Sequence, residues 1–279
     1  MLTGDVRTEP ALRLVEEPPP LSRSATAHGM LPSARVLAWA PAAATVRLVA
    51  RATAEAALRD GVLHVVSTAR APVQWPSWQA AAANLEVAAS WTMVPRAGRD
   101  LPWPRSVLPQ TASSALVVTE AATLRGQYGL HLPEHTDLYV VAEDHPEGRS
   151  LLREPAVVVG VPATTADAHL LAVAGEEAVR RRRHLIIVHA RRPGVTRQMH
   201  DRERRWLRLA TQSTQGPTSW APRVVTTRGP VTSALRNHVD TGDVLVLGVA
   251  RAGNAESGDR LSRSLLEDPP CDLLLTPCS

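Results

Sequence analysis

Two stretches of the chain, Arg35–Pro72 and Ala156–Pro193, carry one pattern at a spacing of 121 residues. In the second stretch Ala156 to Val161 is an apolar, β-branched run bounded by Pro155 and Pro162. An amphipathic segment follows, in which Ala168, Leu171, Ala172, Ala178 and Val179 share a helical period. Leu185 to Val188 is then a second apolar run, closed by the polar HARRPG. Strand, helix and strand within about forty residues is the span of one βαβ unit, which implies a parallel sheet. The first stretch matches without a gap: Pro41 falls on Pro162, Glu55 on Glu176, Ala57 on Ala178, Arg59 on Arg180, Arg70 on Arg191 and Pro72 on Pro193. A repeat this long indicates two copies of one α/β domain in tandem.

The remaining segments fit that plan. Residues 1–32, with Glu16, Glu17 and the run Pro18 to Pro20, read as a flexible N-terminal arm. Domain one is expected at 33–143, with strands at Val36–Ala40, Leu63–Ser67, Leu85–Val94, Ala115–Thr119 and Asp137–Ala142 and helices at Ala42–Arg59 and Val73–Ala83. A charged linker over 144–154 leads to domain two at 155–279. There, after the opening unit, helices are expected at Arg197–Thr211, Val231–Val239 and Asp259–Leu266, and strands at Arg223–Thr227, Asp243–Leu247 and Leu273–Thr276. Each domain is therefore expected to be a doubly wound, Rossmann-like α/β unit with a mainly parallel five-stranded sheet. Ligands of such sheets bind beyond the carboxyl ends of the strands, where strand order reverses.

Bulk properties exclude several classes. A chain of 279 residues holds two domains of ordinary size. The net charge of +4 is too small to argue nucleic-acid binding, and the chain uses arginine where others mix arginine and lysine. Cys271 and Cys278 form neither a metal spacing nor a disulfide framework, which fits a reducing cytoplasm. There is no apolar signal core at the start and no run of the roughly 20 apolar residues that a membrane helix needs. Nucleophile elbows, phosphate-binding Walker loops, zinc spacings and paired catalytic acids are all missing, so no catalytic or metal-ligating residue is assigned and no enzyme is expected.

Several pieces together resemble the universal stress protein family in its tandem two-domain form: VVVGVP with ATTADAH, the helix ending GEEAVRRRRH, LIIVHARRPG, TGDVLVLGVARAG, and LSRSLLEDPPCDLLLT. The resemblance covers nearly all of 155–277 and, more faintly, 34–142. It implies an adenine-nucleotide site, made by an acid at the end of the first strand and a Gly-x2-Gly-x9-Gly-Ser/Thr loop after the fourth. Such glycines let backbone N–H groups approach phosphate oxygens. Here Pro41 and Pro162 stand in the place of the acid, and Arg251 in the place of the second glycine. Leu261–Ser262, or Asp259–Arg260 by the other count, stands in place of the closing pair. The candidate altered phosphate loop is Gly248, Arg251, Gly253, Arg260 and Ser262, whose guanidinium groups suit phosphate geometry. Residues 119–137 hold no such loop, since Gly126 and Gly129 are not spaced for it.

The expected function is that of a cytoplasmic, universal-stress-protein-like binding or regulatory module in stress response, non-catalytic and with the family ATP site largely lost. Two alternatives stand beside it. One is an adenine-nucleotide-binding stress protein that holds ATP weakly through the modified loop of domain two. The other is a stress factor that binds RNA, or an unknown protein or ribonucleoprotein partner, through the N-terminal arm and the arginine-rich helix with Arg202, Arg204, Arg205 and Arg208. The duplication also implies intramolecular pairing of the two domains as a pseudo-dimer, with a homodimer as a further step. Two similar five-stranded sheets related by an approximate two-fold axis are expected, and one continuous sheet, or domains without mutual contact, would mean that the pseudo-dimer idea is dropped.

Overall fold

Each apolar run becomes a strand because its side chains are branched or small and both of its faces are covered. The computed structural model describes residues 34–40, 45–67, 75–93, 115–125, 132, 136–143, 153–161, 168–191, 201, 204–205, 222–250 and 264–278. Its first half contains strands β1 (Arg35–Ala40), β2 (Val62–Ser67), β3 (Ala89–Met93), β4 (Ala115–Glu120) and β5 (Thr136–Val141). The second half contains β6 (Ala156–Val161), β7 (His184–Arg191), β8 (Arg223–Arg228), β9 (Val244–Ala250) and β10 (Asp272–Cys278). The helices described over their full length are α1 (Val46–Leu58), α2 (Trp75–Asn84), α3 (Ala121–Leu124), α4 (Ala168–Arg181) and α5 (Val231–Arg236), and residues 264–267 are also helical.

The strands form one ten-stranded sheet in the order β3-β2-β1-β4-β5-β10-β9-β6-β7-β8. The expectation of two separate sheets is thereby corrected, and the pseudo-dimer of two separately built domains falls with it. All neighbours are parallel except β5 and β10, which pair antiparallel through Leu138–Leu275, Tyr139–Leu274 and Val140–Leu273. Each half would otherwise present the row of unpaired backbone groups of an edge strand, and joining the two satisfies both rows. Equivalent strands run outward from this central pair in the same sequence, as a two-fold axis through the Tyr139–Leu274 pair requires.

The repeat also has a gap that the linear match lacks. Arg35 corresponds to Ala156, a spacing of 121, but their partners in the sheet are Val62 and His184, a spacing of 122. The helix ends agree with the second value: Gly61 N–H donates to the Ala56 carbonyl as Arg183 N–H does to that of Ala178. The left-handed residues Asp60 and Arg182 (φ 47° and 53°) are likewise equivalent. One residue has therefore been gained or lost between the first strand and its helix. As a result Glu55 matches Glu177 and Arg59 matches Arg181, instead of Glu176 and Arg180.

Two apolar layers sandwich the sheet. Val36, Ala38 and Ala40 point to the side covered by α1, α2 and α4, while Leu37 and Trp39 point to the side of α3 and α5. In α4 the buried residues are Leu170, Leu171, Ala174, Gly175, Glu177 and Ala178, while Ala168, Ala172 and Val179 are exposed. The face expected from the apolar period is thus rotated. Alanines surround this helix, so apolar spacing does not single out a stripe, and a buried glutamate occupies the true one. The expected arm at 1–32 and nearly all of the linker at 144–154 lie outside the described residues. Among the described residues no helix is long and apolar enough to cross a membrane.

Candidate functional site

The strand order reverses between β1 and β4 in the first half and between β6 and β9 in the second, which places a crevice at each carboxyl end. In the first half side chains tie β1, α1 and β4 together at this crevice. Thr45 caps α1, its Oγ1 accepting from the Leu48 N–H at 3.1 Å. The same hydroxyl donates to Glu120 Oε1, and the Thr45 N–H donates to that oxygen at 3.2 Å. Glu120 is the last residue of β4, so its carboxylate lies at the amino end of α1, where a helix favours negative charge. Beside it Thr119 Oγ1 donates to the Trp39 carbonyl at 3.0 Å and ties β4 to β1. Helix α3 begins at Ala121, directly after β4, so no loop intervenes there.

In the second half the described residues reach only the floor of the equivalent crevice. Gly248 lies inside β9 opposite Thr276, not in a loop. Of the other members of the candidate phosphate loop, Arg251, Gly253, Arg260 and Ser262 lie outside the described residues, as do Pro41 and Pro162. His189 is buried and its Nδ1 donates to the Val161 carbonyl at 3.1 Å, at the end of β6. A Cβ on Gly160 would come within 2.9 Å of Leu235 Cδ2, so the buried Leu235 side chain would have to shift to admit one. Cys271 is buried, and burial pushes its thiol well above the usual range, so the sulfur is held as an unreactive thiol. Of the arginine-rich segment after Pro193, Asp201, Arg204 and Arg205 are helical and exposed, while Arg202 and Arg208 lie outside the described residues.

Sequence reasoning missed the densest array of charge, which spans the joint between the halves near the amino ends of β5 and β10. Arg59 Nη2 meets Glu177 Oε1 at 2.7 Å, and Arg181 Nη2 meets Glu55 Oε2 at the same distance. Each glutamate also pairs within its own helix, Glu55 with Arg59 and Glu177 with Arg181 and Arg180. The side chains of Glu55 and Glu177 are only 1% and 3% exposed, so these are buried pairs. Next to them Asp272 accepts from Tyr139 Oη and from the Ala142 N–H, both at 3.0 Å, and meets Arg51 Nη2 at 2.6 Å. Arg51 and Arg181 both lie over the Tyr139 ring, at 5.8 and 5.2 Å from its centre. Burial, reinforced by Asp272 and Glu55, pushes the Tyr139 phenol well up, so it serves as a hydrogen-bond donor. The missed signal was the Glu-x3-Arg spacing shared by α1 and α4, which the one-residue gap disguised. Among the described residues no three His, Cys, Asp or Glu side chains converge on a metal position.

No family model matches the chain, and no curated relative does. Solved structures do. A universal stress protein from Archaeoglobus fulgidus DSM 4304 superposes with a TM-score of 0.59 at 13% identity, over 88% of this chain and 99% of that one. A Pseudomonas aeruginosa UCBPP-PA14 protein described as a universal stress protein gives 0.58 at 12% identity, over 88% and 93%. The cytoplasmic domain of a prokaryotic cation chloride cotransporter gives 0.50 at 10% identity, over 87% and 95%. At such identities the likeness is one of fold, and the chain has the mainly parallel, Rossmann-like α/β fold of the universal stress proteins.

Proposed function

We propose that the chain is a tandem member of the universal stress protein family that acts in the cytoplasm as a non-catalytic binding or regulatory module, with the adenine-nucleotide site of that family largely lost. The observation that carries this reading is the Glu120 carboxylate hydrogen-bonded to Thr45 at the amino end of α1. An incoming polyphosphate would meet a negative charge where the family offers backbone donors, and like charges at contact distance repel. Directly after β4 the chain enters α3, and the sequence of 119–137 has no glycines at the family spacing. In the second half the support is in the sequence alone, in Pro162 and Arg251. Each hydrogen bond to a buried polar ligand group that is lost costs about 1–3 kcal/mol, so losing the acid and two loop contacts weakens ATP by roughly two to six powers of ten.

Native mass spectrometry of protein purified without added nucleotide tests this reading. The expected spectrum contains the bare polypeptide mass. Stoichiometric retention of ATP or another adenine nucleotide would reject the lost-site reading and assign binding to the segment that contains Arg251, Gly253, Arg260 and Ser262.

A further inference from the structure

A cleft of about 370 Å³ opens between the amino ends of β1 and β5, the end of α1 and one side of α4. It lies at the opposite ends of the strands from the crevices described above, and nothing in the proposed function uses it. The internal two-fold explains why it is open. Strand registers pair Leu116 with Asp137 in the first half and Val244 with Asp272 in the second, so the two aspartates are equivalent. Asp272 is covered by the Arg51 and Arg47 guanidinium groups of α1. At the 122-residue spacing of the helices, the residues of α4 in those places are Val173 and His169. Asp137 thus has the carboxylate of the site without the guanidinium that covers Asp272, Arg59 and His169 acting on it only from beyond ion-pair distance, and the short Val173 side chain lines the space that a guanidinium occupies in the other half.

The remaining lining has the same preference. Arg59 and Arg180 are committed to Glu177. Among the described residues Asp60, Asp137 and Glu176 take part in no ion pair, and of the lining arginines Arg35 alone is not already paired with a glutamate. Asp137 takes a hydrogen bond from the Thr276 side chain, which leaves most of the roughly four acceptor positions of a carboxylate open. A volume of this size suits a small ligand.

From the cleft and its filled counterpart we infer that the protein binds a small guanidinium-bearing cation on Asp137, with the guanidinium in the position that Arg51 takes on Asp272. Asp60 and Glu176 then receive a second positive group at the rim. A ligand with a guanidinium at one end and an amine at the other, four methylenes away, has this form; agmatine serves as the probe.

Calorimetric titration of the full chain with agmatine is expected to give a dissociation constant on the order of 1 mM or tighter, from two charge-assisted hydrogen bonds. Asp137→Asn is expected to weaken it by roughly tenfold or more. Val173→Arg restores the residue of the other half and is expected to abolish binding while the circular dichroism spectrum is unchanged. Because Val173 lies at the cleft wall, this variant decides the matter even if Asp137→Asn does not fold. Absence of heat with agmatine, undiminished binding in Val173→Arg, or binding of inorganic phosphate in place of agmatine would each overturn the proposal.

Discussion

Glu177 meets three arginines, of which Arg59 comes from the other half and Arg181 is almost as buried as Glu177 itself. Removing one partner of a buried ion pair leaves the other charge desolvated, which costs about 3–5 kcal/mol. Glu177→Gln is therefore expected to lower the unfolding free energy by that amount in urea titrations. Arg180 reaches the same carboxylate but is 34% exposed, so solvent screens it. Arg180→Gln is expected to cost about 1 kcal/mol or less. Equal losses in the two variants would show that burial does not govern this cluster. Glu120 is a different case, a carboxylate at a helix terminus and partly exposed, and its consequence is for ligands more than for stability.

At the scale of the element, close approach of backbones decides more than propensity does. A Cβ on Gly61 would overlap the Ala34 carbonyl oxygen at the turn from α1 into β2, and backbone cannot yield as a side-chain end can. Gly61→Ala is expected to lose more than about 2 kcal/mol. At Gly242 a Cβ would meet only the Pro155 ring at 3.4 Å, and Gly242→Ala is expected to stay within about 1 kcal/mol of the parent. Thermal melts of both variants check the contrast; a mild Gly61→Ala would mean that the turn is looser than its geometry implies. The strands were legible because runs such as VLVLGVA and AVVVGV are apolar on both faces, the mark of a covered parallel sheet. The inward stripe of α4 was not, since Ala168 and Ala172 are exposed while Glu177 is buried. The local Glu-x3-Arg spacing to Arg181 does not by itself mark Glu177 as inward, because the partner that completes its burial, Arg59, comes from 118 positions away. Nor could spacing equate Asp137 with Asp272, as the segments that separate them from their βαβ units differ in length. The candidate phosphate residues, apart from Gly248, lie outside the described residues, so on the carboxyl side the sequence was informative mainly through Pro41 and Pro162, where it departs from the family pattern.

The whole molecule is organised about the antiparallel joint of β5 and β10, where one apolar layer runs from Val36 and Ala38 in the first half through Tyr139 to Val157 and Val159 in the second. A shared layer predicts that the halves unfold together. Near- and far-ultraviolet circular dichroism are expected to give coincident transitions, as in two-state unfolding. Leu275, fully buried opposite Leu138, tests the joint: Leu275→Asp places an unpaired charge in the core and is expected to cost more than about 4 kcal/mol and to separate the transitions. Independent melting of the parent halves would mean that the joint is an incidental contact. At the carboxyl ends of the strands, the proposed loss of the adenine-nucleotide site rests on Glu120 in the first half and on Pro162 and Arg251 in the second. Titration of the purified chain with magnesium ATP in a calorimeter addresses this most directly. The expected result is no binding tighter than roughly 100 μM, from the hydrogen bonds that are missing; a dissociation constant in the low micromolar range would contradict it.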